Sequence, residues 1–165
     1  MADRIQDYGR DLFHHLQFGS VRGWLVVDVL YCSVVRVRRC LYVGGGVGLE
    51  FWDIKWGFQN MVGGKVLRCL DGVEGTRGLC RWVSEFVSLR RFEVSWDVAV
   101  CAVGSSIVVP QGSPLSPVLF LVWMVPILVA MERRIRKEVP GVRVEFPLYV
   151  NNLHCGLYNE KASCR

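Results

Sequence analysis

Cysteine and histidine are the side chains of this chain best suited to binding a transition metal. A structural zinc site needs four ligands in short paired spacings. His154, Cys155 and Cys164 lie near one another, but no C-x-x-C pair supplies the remaining ligands. The seven cysteines are Cys32, Cys40, Cys69, Cys80, Cys101, Cys155 and Cys164. With no cleavable apolar leader after Met1, we expect reduced thiols, buried as small hydrophobic side chains, in an intracellular protein of either the nucleus or the cytoplasm.

A carboxylate stands at the end of a predicted strand. Residues 49–54 are mostly apolar and aromatic, and they carry Asp53 near their end. The glycine-rich run 44–48 before them predicts a flexible turn. That run does not form a phosphate-binding loop, because it lacks the preceding strand and the following Lys-Ser or Lys-Thr.

Two neutral amides, Asn151 and Asn152, separate two short predicted strands at residues 148–150 and 153–158. This arrangement predicts a β-hairpin with a two-residue link. Asparagine tolerates the positive φ that a type I′ turn requires, so turn chemistry alone explains the pair when the segment is considered by itself.

A proline-rich segment, VPQGSPLSPVLF at residues 109–120, opens the most apolar part of the chain. No charged residue occurs between Asp97 and Glu132. Prolines and the polar residues 111–113 divide this stretch, so that only residues 118–131 are continuously apolar, whereas a membrane span needs about 20. We expect a buried core helix here, extended by residues 132–137, and a membrane anchor through 118–131 is the less favoured alternative.

The remaining periodicities predict a mixed α+β protein of one domain or a piece of one. Helices are predicted at residues 5–16, 26–41, 58–70 and 82–89, and strands at 91–96 and 142–146. Apolar residues make up 52% of the chain, which is ample for a core. The net charge of +5 favours a polyanionic partner. In the second helix, Arg36, Arg38 and Arg39 could meet phosphates, but a solvated face is the favoured interpretation.

Four motifs, in a common order and at similar intervals, resemble those of reverse transcriptases of non-LTR retrotransposons. They are QFGSVRG with DVL at residues 17–30, FWDIKWGFQN at 51–60, VVPQGSPLSPVLFLVWM at 108–124, and YVNNLH at 149–154. The resemblance covers nearly the whole chain. It implies a polymerase palm with partial fingers, in which a short antiparallel sheet packs against helices. Residues 1–48 would be fingers and residues 49–165 palm, with no thumb.

The same resemblance implies RNA-templated DNA synthesis from an RNA template and a DNA primer. Such nucleotidyl transfer uses two Mg²⁺ ions held by carboxylates. The catalytic positions of the family would be Asp53, Asn151 and Asn152, with Asp53 as a metal ligand. No membrane partner is implied.

Further positions acquire roles from the resemblance. Gln111 and Gly112 would shape the loop near the template and the incoming nucleotide. Phe58 stands where the family screens the 2′ position of the sugar, and Arg22 could meet a template phosphate.

Several positions depart from the family pattern. Asn151 and Asn152 stand where carboxylates are usual, so the site would carry one negative charge instead of three. A lost charge pair at about 4 Å is worth about 4 kcal/mol at an effective dielectric constant of about 20. Gln59, Trp56 and the pair 24–25 also depart from the pattern. We therefore expect impaired Mg²⁺ binding and a catalytically inactive, truncated copy, or alternatively a non-catalytic nucleic-acid-binding or interaction module.

The composition suggests how such a copy arose. The chain has 28 valines and 5 alanines. Ala to Val, Asp to Asn, Arg to Trp and Ser to Leu can each result from one C-to-T or G-to-A change. A valine-rich sheet would explain the valines but not the two asparagines. An excess of such transitions in the coding DNA is therefore expected.

Overall fold

A computed structural model describes residues 2–8, 12–71, 77–88, 90–96, 99–105, 109–110 and 112–159. The elements are α1 (Ala2–Tyr8), α2 (Val26–Tyr42), β1 (Gly46–Asp53), α3 (Gly63–Asp71), α4 (Arg77–Phe86), β2 (Arg90–Trp96), β3 (Ala99–Ser105), α5 (Leu115–Glu138), β4 (Arg143–Glu145), β5 (Leu148–Tyr149) and β6 (Asn152–Asn159). Helices mixed with antiparallel sheets confirm the α+β prediction. The chain forms two compact units, Met1–Arg10 with Trp56–Trp123 and Asp11–Lys55 with Met124–Arg165.

The second unit is built on a sheet with β6 at its centre. The strand order is β1-β6-β4, and β5 also pairs with β6. All these pairs are antiparallel, and the β1–β6 register runs from Gly46 opposite Asn159 to Asp53 opposite Asn152. β1 pairs with β6 alone among the described strands, and nearly all of its residues are exposed. β1 is therefore an edge strand whose last residue meets the hairpin.

Helix α2, which the periodic apolar positions predicted, packs against β1 and β6. The Asp28 carboxylate accepts a hydrogen bond from the backbone N–H of Leu25 at 2.6 Å, at the start of the helix. Arg38 and Arg39 are exposed, as expected of a solvated basic face. Arg36 departs from that expectation, because its guanidinium turns inward onto Glu145 of β4.

The first unit contains α3, α4, the β2–β3 hairpin and the beginning of α5. α3 packs against α4, and the ring of Phe58 lies 5.1 Å from that of Phe120. Ser116 donates a hydrogen bond to the carbonyl oxygen of Pro110 at 2.6 Å, which ties the proline-rich loop to the first turn of α5. Pro117 lies within that first turn, where a missing backbone N–H costs little.

Three helix predictions were wrong in extent. The helix predicted over residues 82–89 lies at Arg77–Phe86. The helix predicted over residues 5–16 ends at Tyr8, and residues 12–16 form turns. The helix predicted over residues 58–70 begins only at Gly63, because the backbone before it forms a turn closed by the Asn60 N–H to Trp56 carbonyl bond. The two glycines thus open α3 instead of interrupting it.

Helix α5 confirms the long apolar helix predicted from the charge-free stretch. Among the described residues it is the one helix long and apolar enough to cross a membrane, with a mean hydropathy of 2.0 over its 18-residue window. Half of that window is buried inside the protein. The core helix of a soluble protein commonly has these properties, so length and composition alone do not make α5 a span.

Candidate functional site

The hairpin between β5 and β6 differs from its predicted form by one residue. Leu148 pairs with Leu153 and Tyr149 with Asn152, so the two-residue loop is Val150–Asn151. The predicted loop Asn151–Asn152 was therefore wrong. The positive φ falls on Val150, at 55°, a conformation that is uncommon for a β-branched residue. Asn152 is instead the first residue of β6.

This register brings the three predicted catalytic positions together. Asn152 stands opposite Asp53 in the β1–β6 ladder. The Asn151 side chain donates a hydrogen bond from Nδ2 to Oδ1 of Asp53 at 2.7 Å. The backbone N–H of Ile54 donates to the Asn151 carbonyl at 2.9 Å. The hairpin loop is therefore bonded to the end of β1 through both side chain and main chain.

A segment before α2 supports the hairpin from its other side. The N–H of Phe18 donates to the carbonyl of Leu148 at 2.9 Å, and the N–H of Leu148 donates to the carbonyl of Leu16 at 2.8 Å. A Cβ added at Gly19 would lie 2.3 Å from the backbone nitrogen of Val150, so only glycine fits there. Gly19 is a positioning residue that was not singled out from the sequence, although it belongs to the first motif.

The residues present do not fit a pair of magnesium ions. A carboxylate only accepts hydrogen bonds, so Asn151 must turn its NH₂ group, and not its carbonyl oxygen, toward Asp53. Asp53 is then the sole anionic oxygen donor among the three positions. Within the described part of the chain, no group of three or more His, Cys, Asp or Glu side chains is arranged to hold a metal ion.

A cavity of about 380 Å³ borders Asp53 and Asn152 within the second unit. Its walls include Phe51 of β1 and His154 of β6, whose rings meet edge to face with centroids 4.6 Å apart. Burial lowers the pKa of His154 below its ordinary value of 6.5. The imidazole is therefore neutral at physiological pH and adds no positive charge beside Asp53.

The other predicted site residues lie elsewhere. Phe58 and Gly112 line one cavity of about 340 Å³ in the first unit, beside Pro114. Gly112 has a φ of 89°, which favours glycine. Gln111 lies outside the described residues. Arg22 belongs to the second unit, where it is exposed in the turn before α2.

The cysteines considered for zinc do not form a cluster in the described residues. Cys155 is buried in β6, and burial, together with the nearby Glu50 carboxylate, raises the pKa of its thiol. A raised thiol pKa disfavours the thiolate that zinc requires. Cys40 is also buried, with its sulfur 3.3 Å from the carbonyl oxygen of Gly46. Cys164 lies outside the described residues.

At the end of β1, a single carboxylate can therefore accept hydrogen bonds, and the adjacent amide can both donate and accept them. The site lacks the charge to neutralise two divalent cations.

No protein-family model matches the chain, and no curated protein matches it.

Proposed function

We propose that this chain is a degenerate copy of the palm and partial fingers of a non-LTR retrotransposon reverse transcriptase, and that it no longer polymerises DNA. The observation that carries the proposal is the meeting of Asp53 with Asn151 and Asn152. The sequence resemblance assigned all three positions to one catalytic centre. Asp53 and Asn151, which are joined by a hydrogen bond, lie 98 residues apart in the sequence. This meeting of residues that are distant in the sequence supports the proposal.

The loss of activity follows from the chemistry of the three side chains. Mg²⁺, when bound at such a centre, supplies the positive charge that stabilises the attacking and leaving oxygens. Asp53 alone offers one negative charge, and one of its oxygens already accepts the Asn151 amide proton. The asparagine amide thus satisfies the carboxylate that a cation would otherwise neutralise.

A second candidate is a non-catalytic nucleic-acid-binding module. The exposed Arg38 and Arg39 of α2 favour it, because neither guanidinium is withdrawn into the protein as that of Arg36 is. Each phosphate contact would add to the salt dependence of binding, since binding releases condensed counterions. This role is compatible with descent from a polymerase.

Primer extension on an RNA template tests the proposal. The unmodified protein should extend no primer with Mg²⁺ or Mn²⁺, and it is compared with an Asn151→Asp, Asn152→Asp double variant. The same double variant carrying Asp53→Asn is the matched control for extension that depends on the restored centre. Robust synthesis by the unmodified protein would overturn the proposed inactivity, whereas salt-dependent RNA binding without synthesis in any variant would favour the second candidate.

A further inference from the structure

The cavity beside Asp53 has the walls of a site for a flat ring. Its volume of about 380 Å³ lies within the range of roughly 300–1,000 Å³ that small-molecule sites occupy. The aromatic residues Phe51, Tyr149 and His154 line it together with apolar residues from the first turns of α2, among them Val29. Aromatic rings favour planar ligands, because π faces stack on one another.

Hydrogen-bonding groups converge at one side of this cavity. Oδ1 of Asp53 accepts the Asn151 amide, but within the described residues Oδ2 has no hydrogen-bond donor. The Asn152 side-chain amide also lines the cavity and has no protein partner among those residues. The cavity is thus provided with an unpaired carboxylate oxygen, which only accepts, and an amide, which both donates and accepts.

This donor and acceptor set selects among planar rings. A carboxylate pairs with two adjacent N–H groups, and the guanine base presents N1–H and N2–H₂ side by side, next to the acceptor O6. Adenine presents the acceptor N1 at the equivalent position, where it would face the Asp53 oxygens. Asn152 can donate its amide N–H to a ring carbonyl.

We propose that the cavity formed by α2, β1 and the hairpin binds a guanine base, with the Asp53 carboxylate accepting from its N–H edge, Asn152 donating to its carbonyl and the aromatic walls holding its faces. Recognition of this kind requires no divalent cation and no polymerase chemistry. It therefore does not depend on the proposed function, and either can fail without the other.

The experiment measures nucleoside binding by calorimetry on the full chain in EDTA, so that no metal-bridged phosphate contributes. Guanosine should bind about tenfold more tightly than inosine, which lacks the 2-amino donor, because a hydrogen bond to a charged group is lost. Adenosine should bind more weakly still. Use of nucleosides without phosphate separates base recognition from any residual nucleotide binding of polymerase type.

Two variants locate the interaction. Asp53→Asn keeps an oxygen that can accept from Asn151 but removes the charge, and it should weaken guanosine binding at least about tenfold. Glu50→Gln is the matched control, since Glu50 is an exposed carboxylate of the same strand that does not line the cavity, and its binding should be unchanged. Asn152→Ala provides a second test within the cavity, and thermal melts verify that each variant is folded.

Four results would overturn the proposal. The first is no detectable guanosine binding at millimolar concentration by the folded protein. The second is equal binding of guanosine and adenosine. The third is a folded Asp53→Asn protein that binds guanosine as well as the unmodified chain does. The fourth is benzamidine binding more tightly than guanosine, which would show an amidinium site in its place.

Discussion

At the scale of single residues, the hydrogen bond between Asn151 and Asp53 decides what the end of β1 can do. In this 2.7 Å hydrogen bond, Asn151 is an uncharged donor to Asp53. Two carboxylates in the same positions would repel each other unless a cation lay between them. The hairpin therefore closes on β1 without a metal. From the sequence, the identities of these residues were available, but the direction of the amide was not, because it depends on a contact between distant parts of the chain.

A histidine outside this site makes stability depend on pH. His14 Nε2 lies 3.2 Å from Oε1 of Glu132, and the N–H of Leu16 lies 3.4 Å from Nδ1, so the ring is held as the neutral tautomer with its proton on Nε2. Burial lowers the pKa of His14 from 6.5 and outweighs the opposing attraction of Glu132. The folded state thus binds fewer protons than the unfolded state below about pH 6.5.

Stability should therefore be full above pH 6.5 and fall as the pH drops through that value, with His154 acting in the same direction. Urea unfolding at pH 7.5 and pH 5.5 measures this change. His14→Gln should flatten the difference, and His154→Gln should flatten it separately. A folded protein that becomes more stable on acidification over this interval would contradict the assignment.

At the scale of elements, a buried carboxylate ties α2 to the sheet. Glu145 of β4 has a side chain only 5% exposed, and Arg36 Nε lies 2.8 Å from its Oε2. That contact is an ion pair without hydrogen-bond alignment, since Oε2 has no hydrogen-bond partner in the described residues. Oε1 accepts from Arg143 at 2.7 and 2.8 Å. Sequence patterns did not predict this cluster, because a charged residue in a short alternating strand ordinarily faces water.

Removing Glu145 should destabilise the protein more than removing its exposed partner. Glu145→Ala leaves the mostly buried Arg36 unpaired, and we expect a loss of about 2 kcal/mol, discounted because Arg36 is 25% exposed. Arg143→Ala should cost less than about 1 kcal/mol, because that side chain is 59% exposed. Urea unfolding of the two variants measures this difference in stability. An equal loss, or a larger loss for Arg143→Ala, would contradict the role of the Arg36–Glu145 ion pair in holding α2 on the sheet.

The hairpin depends on the close approach of Gly19. Alanine at this position would place its Cβ 2.3 Å from the nitrogen of Val150, so the supporting segment must move away from the loop. We expect Gly19→Ala to cost about 2 kcal/mol. Gly46→Ala is the control, since a Cβ there meets nothing within 4 Å. Comparable melting temperatures for both variants would show that the approach is not required.

Local periodicity explains which elements were predictable. α2 and α5 carry long apolar patterns, and both were predicted within a few residues of their observed ends. The position of the hairpin loop was missed by one residue, because the β1–β6 register and the contact with Gly19 fix it rather than the turn preference of asparagine. The late start of α3 likewise follows from the turn that the Asn60 N–H closes onto the Trp56 carbonyl.

At the scale of the whole molecule, periodicity predicted the α+β class and composition predicted an ample core, but neither could predict what the chain does. The candidate site is assembled from residues near the start, the middle and the end of the described chain: Gly19, Asp53 and Asn151. Only the order of the motifs suggested that these belong together. The proposed function therefore depends on one claim, that the three positions of this centre meet but cannot hold cations.

Binding of Mn²⁺, followed by electron paramagnetic resonance, tests that claim most directly. The unmodified protein should bind no more Mn²⁺ than its Asp53→Asn variant, because one carboxylate already bonded to an amide is a poor site for a hard cation. The Asn151→Asp, Asn152→Asp protein should gain binding that Asp53→Asn then removes. Tight Mn²⁺ binding to the unmodified chain that is lost in Asp53→Asn would contradict the account, as would a folded double variant that gains none.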